Sequence, residues 1–189
     1  MKTAALILAA GAASRFGSTK QLVDIAGKPM LQHCIDSAAT VLPGAVYTVL
    51  GNQSEAIAAN ICGTNILLNL DWQKGLSHSI ACGVAALKED YQGILILLAD
   101  QPNIRSHHLA QLLQLFNGDN TVCSYYRGEN GVPAIFPKSK YGDLMALQGD
   151  RGAKRLLQTM GNKLKTLSLA EASLDIDTPE DLDGLSATL

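Results

Sequence analysis

Much that would place this sequence in a familiar class is missing from it. No stretch of about 18 apolar residues runs through the chain, so no segment is suited to cross a bilayer as a helix. The first apolar run meets Arg15 and Lys20 too soon to serve as a secretory signal. Positive charge is not in excess: 15 Lys and Arg against 17 Asp and Glu leave a formal net charge of −2. A general nucleic-acid binder is normally basic, so neither nucleic acid nor membrane is an expected partner. The four cysteines, Cys34, Cys62, Cys82 and Cys123, form no Cys-x-x-Cys pair for zinc or redox work. Each has apolar or small neighbours, which predicts buried free thiols in a reducing compartment, and hence a cytoplasmic protein. Internal repeats, linkers and low-complexity tracts are also missing, so residues 1–189 read as a single domain.

What is present is a well-filled core. The 189 residues are 47% hydrophobic and 17% charged, a balance that argues against disorder. Apolar runs alternate with helical patterns. Strands are expected at Thr3–Leu8, Ala45–Leu50, Asn65–Leu68 and Gly93–Leu98, the last wholly apolar and therefore central in a parallel sheet. Helices are expected from Pro29 to about Thr40, with Leu31, Ile35 and Ala38 on one face, from about Ser54, and from Ser77 to about Lys88, with Ile80, Val84 and Leu87 as its stripe. The second half is less regular, with a helix over 106–116, strands over 121–125 and 133–136, helices over 138–146 and 152–160, a strand over 163–167 and a helical turn from Pro179. This β-loop-α order predicts a three-layer α/β/α fold around a doubly wound, mostly parallel sheet.

The first strand runs into Gly11-Ala12-Ala13-Ser14-Arg15-Phe16-Gly17-Ser18-Thr19-Lys20. Small side chains leave backbone N–H groups open to an oxyanion, and two cations, Arg15 and Lys20, lie close by. In open α/β sheets ligands bind beyond the carboxyl ends of strands, so the loop reads as a phosphate cradle rather than a plain surface turn. It is not a Walker A loop, because no Gly-Lys-Ser/Thr follows, nor a dinucleotide fingerprint, because Ala13 and Ser14 break the G-x-G-x-x-G spacing. Its charge suits a triphosphate.

Two acidic positions complement that loop. Asp100 ends the wholly apolar strand with no charged partner nearby in sequence. It suits a Mg²⁺ ligand, since Mg²⁺ takes one or two carboxylates plus phosphate oxygens; the alternative is a cap on the following turn. In Asp175-Ile176-Asp177-Thr178-Pro179-Glu180-Asp181, alternation puts Asp175 and Asp177 on one side and Ile176 on the other. Thr178, Pro179 and Asp181 fit the N-cap, N1 and N3 positions of a helical start. Asp177 has no such structural account and is the candidate second metal ligand, against a solvated surface carboxylate. Gly75 precedes a helix opening with Ser77 and Ser79, whose N–H and O–H groups face a ligand or merely cap the helix, Ser77 as an ordinary N-cap. None of His33, His78, His107 and His108 has a metal-binding spacing, and His107-His108 reads as a solvated pair at a helix start. No nucleophilic triad is present; none is needed if the acceptor brings its own attacking phosphate.

Taken together, these motifs resemble the MobA-like nucleotidyltransferases. The resemblance rests on Leu8-Ala9-Ala10-Gly11-x-x-Ser14-Arg15-Phe16-Gly17-x-x-Lys20-Gln21-Leu22, Gly27-Lys28-Pro29-Met30-Leu31, Trp72-x-x-Gly75-Leu76-x-x-Ser79-Ile80 and Ala99-Asp100-Gln101-Pro102. Gly131-x-Pro133-x-x-Phe136, Gly149-Asp150-Arg151-Gly152-Ala153 and Asp175–Asp181 follow in order. Within the superfamily, which has the nucleotide-diphospho-sugar transferase fold, the chain is most similar to the molybdenum cofactor cytidylyltransferase branch. The resemblance implies CTP with its phosphates over Gly11–Lys20, Mg²⁺ on Asp100 and Asp177, and attack by a phosphate of molybdopterin on the α-phosphorus. Pyrophosphate would leave on the side of Arg15 and Lys20. It implies a catalytic set of Arg15, Lys20 and Asp100. The implied nucleotide site comprises Leu8, Ala9, Ala10, Gly11, Ser14, Arg15, Lys20, Gly75, Ser79 and Asp100. The guanylyltransferase branch typically reads Leu-Ala-Gly-Gly where this chain has Leu8-Ala9-Ala10-Gly11, so the Ala10 methyl implies exclusion of a purine. Residues 131–136 and 149–155 would shape the pterin side, and a molybdoenzyme is an implied recipient of the product. Phe16, Leu76 and Asp24 depart from the common Met, Met and Pro; Asp24 adds negative charge near the loop. Other readings are a nucleotidyltransferase for another phosphorylated acceptor, such as a sugar phosphate, and a nucleotide-binding chaperone or regulator without turnover.

Overall fold

A computed structural model describes residues 1–12, 16, 19–150, 152–161 and 164–182. The chain runs β1 (Thr3–Leu8), a hairpin of β2 (Asp24–Ile25) and β3 (Lys28–Pro29), α1 (Met30–Val41), β4 (Val46–Leu50), α2 (Ser54–Ala58) and β5 (Asn65–Leu68). It continues with α3 (Leu76–Leu87), β6 (Gly93–Leu98), α4 (Ser106–Leu115), β7 (Thr121–Tyr126), β8 (Glu129–Pro137), α5 (Tyr141–Met145), α6 (Lys154–Thr159) and β9 (Leu164–Ser168). Seven strands form one sheet in the order β5-β4-β1-β6-β8-β7-β9. Only β8 runs antiparallel to its neighbours. β6 stands in the middle as its apolar sequence requires, although one of its partners is β8 and antiparallel.

Strand alternation sorts the apolar residues into two layers. Ala5, Ile7, Leu95 and Leu97 face the side packed by Leu31, Ile35 and Ala38 of α1 and Leu109 and Leu112 of α4. Ala4, Leu6, Leu8, Ile94 and Ile96 face Ile80, Val84 and Leu87 of α3. With helices on both faces, every residue of β1 is buried, which is why its sequence shows no polar alternation.

Local departures from expectation have physical reasons. The hairpin replaces a helix start at Pro29. Ala26 and Gly27 take positive φ (51° and 82°), the two-residue turn that matches strand twist. Pro29 pairs with Asp24 and then caps α1. Asp24 Oδ1 accepts the Gly27 N–H at 3.1 Å, so the turn itself accounts for this carboxylate. α2 spans only five residues. α3 starts at Leu76 with Gly75 as its N-cap, and Ser77, the expected cap, has a buried hydroxyl without a hydrogen-bond partner among the described residues. His107 is exposed but His108 is buried: its Nδ1 accepts the Arg105 N–H at 3.1 Å, so it is a capping residue, not half of a solvated pair. All four cysteines are free, but only Cys34 and Cys123 are buried. No helix among the described residues is long and apolar enough to cross a membrane.

A third, small cluster matters most for the site. Ile25, Met30 and Ile176 are buried together, with Phe16 and Leu182 against them. Ile176 is fully buried, a contribution of about 1.5–3 kcal/mol for a side chain of this size. The hairpin thus clamps the Asp175–Asp177 segment beside the loop that follows β1.

Candidate active site

The end of β1 is fixed by backbone bonds that continue past the strand. The Ala9 N–H donates to Val49 O at 3.0 Å, the Ala99 N–H to Leu8 O at 3.2 Å and the Asn52 N–H to Ala10 O at 3.1 Å. Leu8, Ala9 and Ala10 are buried. Gly51 allows this closeness, because a Cβ there would lie 2.5 Å from Trp72 Cβ and 2.9 Å from Ala10 O. At Gly11 the chain opens, and a Cβ there would meet nothing within 4 Å. Ser14 and Arg15, both candidates from the sequence, lie outside the described residues, as do Ala13, Gly17, Ser18 and Arg151.

The loop is tied down from behind by a residue that sequence reasoning passed over. Gln21 is buried, and its Nε2 donates to Ala9 O at 3.0 Å and Gly11 O at 3.1 Å. Thr19 Oγ1 donates to Gln53 Oε1. Lys20, at the start of a short 3-10 turn, is thereby held at the mouth of the crevice.

Lys20 joins the two acidic segments. Its Nζ donates to Asp100 Oδ2 at 3.1 Å and Asp177 Oδ1 at 2.8 Å, and its side chain is only 12% exposed. Burial disfavours the charged ammonium, but the Asp100 and Asp177 carboxylates outweigh it and hold its pKa above the usual lysine value. Asp100 Oδ1 is buried and has no hydrogen-bond partner among the described residues. Asp177 is half exposed. The Ile176 N–H donates to Asp100 O at 2.9 Å, which locks the acidic segment against the end of β6 with Ile176 inward, as its alternation predicts. Asp181 Oδ2 accepts the Asp177 and Thr178 N–H groups at 2.9 and 2.8 Å, the expected N3 carboxylate of the turn that follows.

Gln101, also unremarked as a site residue, is 1% exposed. Its Nε2 donates to Ala172 O and to Asp175 Oδ1, each at 2.9 Å. Asp175 keeps a face open to solvent, but the protein around its carboxyl, and then the Asp100 charge, push its pKa above the usual carboxylate value. The folded protein therefore holds this proton more tightly than the unfolded chain, so ionised Asp175 costs stability. That cost fades as pH falls through the raised pKa towards about 3.9. Asp175→Asn should raise the melting temperature by about 1 °C at pH 7, small because solvent screens the site. Melts at pH 7 and pH 4 check this: the gain should shrink at pH 4.

Gly75 and Ser79 form no hydrogen bond with the lysine–carboxylate cluster. Ser79 is buried and its Oγ accepts from Asn69 Nδ2 at 3.0 Å, while Asn69 Oδ1 accepts the Asp71 N–H at 3.1 Å. Gly75 has φ 99°, and a Cβ there would collide with the Asp150 carboxylate. Asp150 in turn accepts the Leu76 N–H at 3.3 Å, at the start of α3. α3 reaches the crevice through Ile80, one turn in from its start, which lines a cavity of about 360 Å³. Its floor is Leu8, Ile80, Ile96, Leu98 and Val132; its rim carries Tyr126, Arg127, Glu129, Lys154 and Asp175. Glu129 and Lys154 are ion-paired. This cavity adjoins residues 131–136 and 149–155, the segments expected on the acceptor side.

The arrangement is the end of the first strand at residues 8–11, a lysine–carboxylate cluster and a pocket lined in part by Leu8, Leu98 and Asp175. Residues 5–166 match the family model of the MobA-like NTP transferase domain. The chain belongs to this family. Among curated relatives, the MobA-like chain is 33% identical over 131 residues to the bifunctional protein GlmU of Rhodococcus opacus, covering 64% of this chain and 26% of GlmU. It is 36% identical over 118 residues to the purine catabolism protein PucB of Bacillus subtilis, covering 60% of this chain and 57% of PucB. The matched region thus spans about a quarter of GlmU. Rv0371c of Mycobacterium tuberculosis H37Rv superposes on this MobA-like chain with a TM-score of 0.87 at 24% identity, over 99% of this chain and 98% of Rv0371c. A structure of Rv0371c in complex with manganese gives a TM-score of 0.83 at 23% identity, over 100% of both chains. These superpositions show the three-layer α/β fold.

Proposed function

We propose that this chain is a divalent-metal-dependent nucleotidyltransferase that moves CMP from CTP to a phosphate of molybdopterin and releases pyrophosphate. The observation that carries this reading is the convergence of Lys20, Asp100 and Asp177, with Lys20 at the end of the segment that follows β1. The residues fit a hard divalent ion: two carboxylates from separate segments share one cation, and Asp100 has a buried oxygen with no hydrogen-bond partner among the described residues. Asp100 and Asp177 would hold Mg²⁺, and the manganese complex of Rv0371c supports a divalent ion in this fold. Such an ion, when bound, neutralises phosphate oxygens and makes the phosphorus more electrophilic.

The remaining work falls to the chain. Backbone N–H groups of the segment after β1 are assigned to the phosphates on sequence grounds, and Gln21 holds its start through the Ala9 and Gly11 carbonyls. Lys20 binds the departing pyrophosphate, and Arg15 is assigned the same role on sequence grounds alone. Leu8, Ala9 and Ala10 are assigned the floor of the nucleotide side, and Ser14, Gly75 and Ser79 are assigned to it on sequence grounds alone. The acceptor's body occupies the 360 Å³ cavity and its phosphate attacks in line, so catalysis is mainly positioning and charge neutralisation. Incubating the protein with Mg²⁺, CTP or GTP and a panel of phosphorylated acceptors, with products read by mass spectrometry, tests the proposal. A cytidylylated pterin is the expected product; turnover of another acceptor alone overturns the molybdopterin assignment.

A second acceptor class is favoured by one feature. Arg127, Glu129, Lys154 and Asp175 give the cavity four charged side chains, more polar recognition than a flat heterocycle needs and suited to a sugar phosphate. The panel separates the two.

Base choice is assigned to Ala10. Ala10 is buried at the end of β1, the resemblance puts it on the nucleotide side, and one carbon in such a pocket changes selectivity by about tenfold. Ala10→Gly should lower the CTP-over-GTP ratio of kcat/KM by about tenfold, measured with both nucleotides in competition.

A further inference from the structure

Lys20 has two tasks that compete. In the proposed reaction it binds the triphosphate, yet without nucleotide its ammonium lies between the two carboxylates assigned to the metal. An ammonium has three N–H donors, and two are spent on Asp100 Oδ2 at 3.1 Å and Asp177 Oδ1 at 2.8 Å. One oxygen of each carboxylate that would face a divalent cation is therefore already bonded to a positive charge fixed to the protein, while Asp100 Oδ1 is left buried and without a hydrogen-bond partner among the described residues. A dication approaching them meets that charge about one hydrogen-bond length away, where repulsion between unlike-sized cations is strong even under partial screening.

We infer that Lys20 is a stand-in cation, which holds the Asp100–Asp177 pair until a triphosphate draws its ammonium away, so that metal and nucleotide enter together. The inference rests on the nucleotide and metal reading above and extends it to the order of loading. Three features support it. The ammonium is nearly buried, so it is not one of several surface conformers in free exchange with water. The carboxylates come from segments 77 residues apart in sequence, and among the described residues Lys20 is the one group that bonds both. Among the described residues only two of the three N–H donors of Lys20 are used, so a phosphate oxygen can be engaged before the carboxylates are released. Because coupling is reciprocal, metal raises nucleotide affinity by the factor by which nucleotide raises metal affinity.

The test is Mn²⁺ binding, read by the EPR signal of free Mn²⁺, to the wild type, Lys20→Met and Asp100→Asn, each with and without CTP. Circular dichroism and thermal melts establish that each variant folds, and Lys20→Gln serves if Lys20→Met does not. The wild type should bind Mn²⁺ weakly alone and at least about tenfold more tightly with CTP. Lys20→Met should bind Mn²⁺ about tenfold more tightly than the wild type without CTP, and CTP should add little. Mn²⁺ should also raise the melting temperature of Lys20→Met more than that of the wild type. If Lys20→Met binds Mn²⁺ no better than the wild type without CTP while both gain equally from CTP, the stand-in role is overturned and the metal site stands. If Asp100→Asn matches the wild type in every arm, the metal site itself is overturned, and the stand-in role with it.

Discussion

Asp100→Asn should lower the rate of pyrophosphate release by about 10³-fold while leaving the fold in place. The change keeps the size of the side chain and its place at the end of β6, so the Ile176 N–H still reaches the main-chain carbonyl of residue 100. What disappears is one negative charge beside Lys20 and a buried oxygen suited to a hard cation. Steady-state kinetics and a thermal melt on the same sample check this: a large fall in kcat with a melting temperature within a few degrees of wild type. Retention of rate within about threefold would remove Asp100 from the chemistry. If wild type and variant both bind CTP and neither turns it over with any acceptor, the chain is a nucleotide-binding regulator rather than an enzyme.

The second large effect is expected at Gln101. Its amide uses both Nε2 hydrogens, one on Ala172 O and one on Asp175 Oδ1, and it is 1% exposed. Gln101→Leu leaves two acceptors without donors, at a cost of about 2–3 kcal/mol. It also frees the segment that sets Asp177 opposite Asp100. A displacement of about 1 Å in a positioned group can cost 10²-fold in rate, so a fall in kcat of about 100-fold is expected. Because Gln101 acts through Asp177, the Mg²⁺ concentration for half-maximal rate should rise as well. Urea unfolding and a Mg²⁺ titration of kcat measure the two effects separately. Lost stability with unchanged Mg²⁺ dependence would make Gln101 a residue of the fold alone.

These two sites show how far the sequence could be read. β1 and β6 are legible because burial on both faces demands continuous apolar runs, and no other element of this length does so. Asp100 stands out for the same reason, as a carboxylate ending such a run. The alternation at Asp175, Ile176 and Asp177 was legible too, and Ile176 is fully buried as it requires. The hairpin at Asp24–Pro29 was not, since Pro29 fits a helix start as well as a cap and a two-residue strand offers no period. The supporting amides, Gln21 and Gln101, were invisible as such. Their partners are mostly main-chain carbonyls, 10 to 71 residues away, and any residue type supplies those. Ser77 and His108 failed for a related reason: burial, which the local pattern does not report, decides whether a polar side chain caps, packs or faces water. The pairing of Lys20 with Asp177 spans 157 residues; each residue was nominated separately, but for a phosphate and for a metal, not for each other.

The central claim is that the loop after β1 and the Lys20–Asp100–Asp177 cluster are one site for a metal–triphosphate. ³¹P NMR of CTP with the protein, molybdopterin and Mg²⁺, followed by the same sample with chelator in excess, tests it most directly. The account predicts loss of the three CTP resonances with matching growth of pyrophosphate and of a new pyrophosphate-diester pair, all arrested by the chelator. Unchanged CTP resonances with every phosphorylated acceptor, or equal turnover with the metal removed, would contradict it.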